Sequence, residues 1–435
     1  MHKNSLSVDE NYDYEDSGVE WLGKIPAHWK LYRFKYIASI MTGDKDTAHR
    51  NYAGAYPFFI RSPKIQKIDT YSYDGEAILT AGDGDIGKIF HYINGKFDYH
   101  QRVYKFSEFK KVYGKYLYYY LKNSLAEEVV KLSAKTTVDS LRLPFLQNFP
   151  VAAPPLREQN NIYKFLDKNI ALIDQSIKIK QHQIDLLKER KQILIQNAVT
   201  RGLNPDAPMR DSCIPWIGQI PAHWKILRFK HLFSQSRIPV RLADGVVTSY
   251  RDGQVTLRSK RRIDGYTEAI LEQGYQGVRK GQLVVNSMDA FEGAIGVSDS
   301  DGKCTPEYIV CDPRSEEYDP GYFSYLLREM ALARYIQVIC HAVRQRAVRI
   351  RYNNLANLSM AIPPKSEQID IVYHIKSESL KVDKAIALLQ DQIERLKEYR
   401  ATLIDSAVTG KIRVPGVEDP APALSMDGPK ENSWI

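Results

Sequence analysis

Two stretches of the chain space their hydrophobic residues at steps of three and four over about four heptads. In the first, Leu166, Ile170, Ile173, Ile177, Ile184, Leu187, Leu194 and Ala198 form one stripe, interrupted at Lys180 and Lys191. In the second, Val382, Ile386, Leu389, Ile393, Leu396, Leu403 and Ala407 keep the same register. A period of 3.5 held this long predicts two helices that pair through their stripes as a coiled coil. Pro154-Pro155 and Pro363-Pro364 stop whatever precedes them, and Gly202 and Gly410 follow as C-terminal stops. About 44 residues at ~1.5 Å each make each helix roughly 65 Å long. Lys191 and Arg400 hold the same seam position, so a parallel pair would set like charges together in a desolvated groove. The expected pair is antiparallel. Two helices packing separately on their own domains is the alternative.

The segments ahead of the helices alternate differently. Glu76–Phe106 mixes short apolar runs with Gly, Asn and Asp turns, and Asn94-Gly95 between Tyr92-Ile93 and Phe97 predicts a hairpin turn. Gln282–Ser298 is its counterpart in the second half. Val112–Asn123 and Gly321–Gln337, rich in aromatics, read as helices. Each lobe is expected to be a mixture of α and β.

The two halves are copies. Trp21–Ile37, WLGKIPAHWKLYRFKYI, matches Trp216–Leu232, WIGQIPAHWKILRFKHL, at 11 of 17 positions with an offset of 195. The helix starts PPLREQ (Pro154–Gln159) and PPKSEQ (Pro363–Gln368) match at an offset of 209. So do LKERKQILIQNAVT (Leu187–Thr200) and LKEYRATLIDSAVT (Leu396–Thr409). Between these blocks, Ala38–Ala153 and Phe233–Ile362 resemble each other only faintly, and the second is 14 residues longer. The frame was kept while the insides diverged. The expected fold class is mixed α/β: two similar globular lobes joined by two long antiparallel helices, with a pseudo-two-fold internal repeat. The expected divisions are a tail (1–20), a first lobe (21–153), a long helix (154–201), a linker (202–215), a second lobe (216–362), a second helix (363–410) and a tail (411–435).

Composition narrows the class. The chain has 435 residues, 43% hydrophobic and 26% charged, as in globular protein with two or three domains. Lys+Arg exceed Asp+Glu by 61 to 52, for a net charge of +9, which is compatible with a polyanionic partner. Cys213, Cys304, Cys311 and Cys340 show no CxxC spacing and read as reduced structural thiols rather than a zinc site. The acidic start (Asp9, Glu10, Asp13, Glu15, Asp16) is no signal peptide, and no apolar run approaches the roughly 20 residues of a membrane span. A cytoplasmic protein is expected.

Catalytic motifs do not assemble. Gly82–Ile89, GDGDIGKI, satisfies G-x-G-x-x-G and nearly a P-loop, but both need a helix to begin here, and Asp83 and Asp85 would repel an anion. A glycine-rich turn between strands is the better reading. No Asn/Asp-Pro-Pro-aromatic motif is present for an amino-methyltransferase. Asp98 with Glu108–Lys110 is the best nuclease set, and such a combination arises by accident in so charged a chain. His28 and His223, beside Trp29 and Trp224, read as packing histidines. No metal or cofactor is expected on this chain.

What remains is basic and polar-aromatic surface suited to phosphates and base edges. The first lobe offers Arg61, Lys64, Lys67, Lys88, His100, Gln101, Arg102, Lys135 and Arg142. The second offers Arg251, Arg258, Lys260, Arg261, Arg262 and Asn286, with Arg344, Arg346, Arg349 and Arg351 in a run free of acids. Crowded positive charge is costly unless it meets an anion.

Over Ser17–Lys411 this layout resembles the specificity subunit of Type I restriction–modification systems. The carriers are SGVEWLGKIPAHW (Ser17–Trp29), WIGQIPAHW (Trp216–Trp224), PPLREQ, PPKSEQ, AVTRG (Ala198–Gly202) and AVTGK (Ala407–Lys411). The resemblance implies two target-recognition domains, each reading half of a bipartite, asymmetric site on double-stranded DNA. It implies that the paired helices set the spacing and dock two modification subunits, which bring S-adenosylmethionine and methylate adenine N6. Restriction subunits using ATP and Mg would join them. The chain itself would be a non-catalytic recognition subunit. The competing readings are a DNA-binding regulator or clamp without such partners, and a self-contained methyltransferase or nuclease.

Overall fold

A computed structural model describes residues 13–133, 140–261, 274–336 and 349–416. The chain divides into two compact units, Met1–Gln181 with Gln390–Ile435, and His182–Leu389. Each unit therefore holds the start of one long helix and the end of the other. The helices run Leu156–Arg201 and Lys365–Val408.

The repeated motif closes each lobe in the same way. The strand after the first IPAHW, Lys30–Arg33, pairs antiparallel with Pro150–Ala153, the strand just before the Pro-Pro stop. Lys225–Arg228 pairs identically with Ser359–Ile362. This pairing carries the first turn of the long helix back to the motif. Trp29, only 3% exposed, donates from Nε1 to Glu158 Oε1 at 3.1 Å, and His28 Nε2 lies 2.8 Å from Glu158 Oε2. In the second unit Trp224 Nε1 donates to Glu367 Oε1 at 3.1 Å, and His223 Nε2 lies 2.9 Å from Oε2. The neighbouring glutamines complete the joint. Gln159 Nε2 donates to Pro154 O and Lys111 O, and Gln368 Nε2 donates to Pro363 O and Glu317 O. Each histidine has a carboxylate as partner; His28 is half-buried as expected of a packing residue, whereas His223 is exposed.

The end of the other helix docks on the same motif. Gly410 has φ +74, and a Cβ there would lie 2.5 Å from Pro26 Cδ and 3.2 Å from Trp29 Cη2. Gly202, also at φ +74, would place a Cβ 2.7 Å from Glu367 Oε1 and 3.3 Å from Trp224 Cζ2. The helix stops thus serve both a left-handed cap and a close approach. A buried tyrosine ties each helix end to the frame. Tyr116 Oη donates to Ala152 O at 2.7 Å and lies 3.3 Å from Val408 O. Tyr322 Oη lies 3.0 Å from Val199 O and 3.1 Å from Ala361 O.

Helical segments pair antiparallel within each unit. In the first, Leu166, Ile170 and Ile173 share a core with Leu403 and Ala407, and Ile177 and Leu396 pack against it. Asp174 lies 3.5 Å from Arg400, and Lys180 Nζ donates to Gln392 Oε1 at 2.6 Å. Rising numbers on one helix meet falling numbers on the other. In the second unit, Ile195, Ala198 and Val199 share a core with Ile371 and Ile375, while Lys191 pairs with Asp383 at 2.7 Å. Lys191 and Arg400 each face an acid. Of the stripe, Ile173, Ile184, Ile393 and Leu403 are buried, and Ile177, Leu187, Leu194, Val382, Ile386 and Leu396 are half-buried.

Each lobe builds its own sheet, and four strands keep the same order in both despite their unlike sequences. In the first, Ser39–Thr42, Val103–Ser107, Tyr73–Ala81 and Phe90–Tyr99 lie side by side, extended by Tyr56–Phe59 and Gln66–Ile68. In the second, Phe233–Ser236, Tyr308–Pro313, Leu283–Asn286 and Ile295–Val297 follow the same order. The expected helices are Gly114–Ser133 and Pro320–Leu332, each packed on its sheet. One expectation needs correction. Asn94-Gly95 is no turn: it lies mid-strand, with Asn94 opposite Glu76 and Gly95 opposite Gly75. Gly95 has φ +138, a backbone that glycine adopts readily, and it stays paired within the strand. The connection is instead the glycine-rich stretch after Ala81, which leads into a strand and not a helix.

Cys304 and Cys311 are buried, and burial pushes both thiols up to about 12, so they stay protonated. Cys213 is exposed, and Cys340 lies outside the described residues.

Two predictions follow from the packing. Glu158→Ala strands the buried Trp29 N–H and should cost about 2 kcal/mol of stability, read as a lower urea midpoint; Glu158→Gln, which keeps an acceptor, should cost less. Glu367→Ala should cost less than Glu158→Ala, because the side chains of His223 and Glu367 are 50% and 23% exposed against 19% and 8% in the first unit. Second, Glu329 on the Pro320–Leu332 helix is buried with Gln192 Nε2 as donor at 2.7 and 2.8 Å, and burial pushes its carboxyl up to about 7. A folded value above the unfolded one makes only the ionised form costly, so stability is lost as pH rises from about 4.5 through about 7. Glu329→Gln should therefore stabilise the protein at pH 8, by up to about 3 kcal/mol, and leave melting at pH 4.5 unchanged.

Candidate nucleic-acid interface

In the first unit several loops meet at one end of the six-stranded sheet. Gln101 N donates to Lys45 O, Gly82 N to Arg102 O, and Leu141 N to Gly82 O. These bonds bring together residues 44–46, 82–88, 100–102 and 140–142. Arg61 joins them by donating from Nη1 to Asp83 Oδ1 at 2.6 Å, and Arg102 Nη1 donates to Asp83 Oδ2 at 2.9 Å. Burial alone would raise the Asp83 carboxyl; the two guanidiniums outweigh it and hold it below the usual carboxylate range. Both arginines stay open, with side chains 41% and 60% exposed. Gln101 Nε2 donates to Asp46 Oδ2 at 3.2 Å, and Lys88 lies 3.2 Å from Asp85. Arg142, Lys64 and Lys67 are exposed.

The second unit builds a comparable edge from different residues. The matching bonds Leu141 N to Gly82 O and Ile350 N to Ser287 O set Ser287 at the Gly82 position, so Met288 stands at that of Asp83 and Asp289 one step further along, at that of Gly84. Gly87 and Gly293 near the ends of the two turns both have positive φ, 73° and 94°. Arg251 Nη2 donates to Asp289 Oδ1 at 3.0 Å and also pairs with Glu292. Arg328 Nε donates to Gly293 O at 3.1 Å and supports the turn from below. Ile350 N donates to Ser287 O, which places Arg349 and exposed Arg351 beside the same turn. Arg349 pairs with Glu307 at 2.7 Å. Further along, Arg261 pairs with Asp252 and stacks its guanidinium 4.1 Å over the Tyr250 ring. Lys260 Nζ donates to Ser300 Oγ at 2.7 Å, and Arg258 Nε to Thr248 Oγ1 at 3.4 Å.

Two expected surface readers lie inside. His100 is 4% exposed, and its Nδ1 accepts from Arg102 N at 3.0 Å, so it shapes the turn that presents Arg102. Asn286 is 5% exposed, accepts from Met288 N and donates to Asp289 Oδ2 at 3.1 Å. Both were misread because a polar residue at a strand end serves the turn as readily as a ligand. Lys135, Arg262, Arg344 and Arg346 lie outside the described residues. Sequence reasoning reads Asp83 only as a charge that repels an anion, and does not single out Asp289 or Arg328. The signal available in the first two is an aspartate within each turn.

Asp98, the core of the nuclease alternative, is fully buried and accepts from Thr70 Oγ1, Ser72 Oγ and Tyr99 N. Its oxygens are committed to the fold. A cleft lined by Tyr73, Glu76, Glu108, Phe109, Lys111 and Tyr113 sets two carboxylates against one lysine, the wrong sign for a phosphate chain. Among the described residues, no group of three or more His, Cys, Asp or Glu side chains could hold a metal ion, and no helix is long and apolar enough to cross a membrane.

Comparison with known proteins places this architecture. Residues 26–188 match the profile of the Type I restriction modification DNA specificity domain. The EcoDI Type I restriction enzyme specificity subunit of Escherichia coli is 21% identical over 423 residues, covering 90% of each chain. The MjaVIII specificity subunit of Methanocaldococcus jannaschii is 22% identical over 419 residues, covering 90% of this chain and 94% of its own. Among solved structures, a chain from a study of complex assembly and conformational transition in the type I R-M system aligns with a TM-score of 0.63 at 13% identity, covering 89% of this chain and 99% of that one. The HsdS subunit of Thermoanaerobacter tengcongensis aligns with a TM-score of 0.51 at 13% identity, covering 89% and 98%. Residues 26–188 thus carry a Type I restriction modification DNA specificity domain, and along most of its length the chain is similar to Type I specificity subunits.

Proposed function

We propose that the chain is the sequence reader of a Type I restriction–modification complex, with each lobe recognising one half of a bipartite DNA site. The observation that carries this reading is the pairing of one scaffold with two different arginine sets around the corresponding inter-strand turn. Arg61, Gln101 and Arg102 stand there in the first lobe, and Arg251, Arg349 and Arg351 in the second. Identical edges would read a symmetric site; unlike edges read an asymmetric one. The long helices act as a coiled-coil ruler, holding the lobes at a separation on the order of a helical turn of DNA, ~34 Å. A stiff helix pair fixes spacing where a loop would not.

Two modification subunits dock on the repeated frame and bring the S-adenosylmethionine chemistry at adenine N6, so this chain positions DNA and performs no bond-making step. Restriction subunits supply ATP-driven cleavage with Mg. Docking has a visible basis in the first long helix. Leu172 and Ile179, and further along Leu186 and Ile193, recur every seven residues and are each about half exposed. Large apolar side chains in such a stripe suit a helical partner.

Replacing residues 38–153 with the corresponding lobe of the EcoDI relative should change the bases required in one half-site and leave the other unchanged. A change in both halves, or in neither, would contradict the division of labour. The double substitution Leu172→Glu and Ile179→Glu should abolish co-purification with a co-expressed modification subunit while shifting the melting temperature by no more than about 2 °C, as expected for surface positions. Retained co-purification would remove this stripe from the docking surface.

A further inference from the structure

A carboxylate at the rim of a DNA-binding edge is at first sight an error. It repels the backbone, and it cancels charge that would otherwise attract phosphates. Yet each lobe carries an aspartate within this turn, Asp83 in the first and, one step further along, Asp289 in the second, although the surrounding sequences differ. In each lobe it holds arginine: Arg61 and Arg102 in the first, Arg251 in the second.

We propose that Asp83 is a positioning residue that fixes Arg61 and Arg102 as a paired reader of guanine in the half-site of the first lobe. This rests on the DNA reading above and deepens it by naming the bases and the residues. The geometry favours base readout over phosphate contact. A phosphate contact needs charge and little orientation, and exposed Lys64, Lys67 and Arg142 already supply it. Asp83 removes one of the two positive charges of the pair, a loss for phosphate binding. What it adds is orientation. Arg61 and Arg102 each commit Nη1 to the carboxylate, at 2.6 and 2.9 Å, while their side chains stay 41% and 60% exposed. Guanine O6 and N7 in the major groove are the acceptors that such a fork matches bidentately, and a fork held in advance loses less freedom on binding. The turn itself is fixed, since Gly82 N donates to Arg102 O at 2.9 Å and His100 Nδ1 accepts from Arg102 N. Arg61 and Arg102 arrive from separate loops, and Asp83 holds one against the other.

The test uses the full-length chain and a library of duplexes carrying two randomised half-sites at varied spacing. Wild type should enrich a bipartite motif with guanine at fixed positions in one half. Asp83→Asn should reduce the preference for those guanines about tenfold, leave the other half-site unchanged, and leave binding to non-specific DNA at low salt equal or stronger. Arg102→Lys, which keeps the charge and loses the fork, should abolish the preference at one of those positions. A motif unaltered by Asp83→Asn overturns the proposal, as does equal decay in both halves, the pattern of a merely structural residue. Full retention of the preference in Arg102→Lys marks a phosphate contact and overturns it too. A wild-type chain that enriches no motif would instead overturn the DNA reading itself.

Discussion

The carboxylate at the start of each long helix, held by the indole and imidazole of the IPAHW motif, is the constraint on which the rest depends. It joins three chain segments that are far apart in sequence. In the first unit the motif Ile25–Trp29 receives Glu158 from the start of one helix and Gly410 from the end of the other. In the second, Ile220–Trp224 receives Glu367 and Gly202. A buried Trp N–H and a buried carboxylate satisfy one another, and neither tolerates removal of its partner without exposing an unmet group. The motif recurs because the joint recurs: a chain with two lobes and two helices needs it twice.

That joint separates two jobs. The frame strands, the Gln159 and Gln368 anchors and the Tyr116 and Tyr322 hydroxyls fix how each lobe meets its helices. The four central strands then keep one order in both lobes, and their far edge is left to vary. In the first lobe that edge carries an arginine pair on one aspartate; in the second it carries Arg251 on Asp289 and Glu292. A recognition subunit benefits from this arrangement, because its specificity can change at the edge without altering the surfaces that assemble the complex.

Much of this was legible in the sequence, and the reasons are physical. Heptad spacing and the Pro-Pro and Gly boundaries located both helices, and the like charges at Lys191 and Arg400 indicated antiparallel pairing, which the Asp383 and Asp174 partners bear out within each unit. The repeat identified the frame but not its chemistry. Nothing in the spacing of His28 and Glu158 says that 130 residues fold back to join them. The Asn94-Gly95 turn was misplaced because local turn preference was outweighed by a long strand pairing from Tyr73 to Thr80. His100 and Asn286 are not legible as buried residues, because a polar side chain at a strand end gives no sign of facing inward. Nor does the sequence show that the charge of Asp83, repulsive to an anion by itself, is met by two arginines.

The proposed function has one frame hold two unlike readers at a fixed separation. It is tested most directly by mapping N6-methyladenine across the genome of cells that produce the modification subunits with and without this chain. The expected result is methylation that depends on the chain and falls on a single bipartite, asymmetric motif with one spacer length. Methylation that persists without the chain, or that tolerates several spacer lengths, would contradict it.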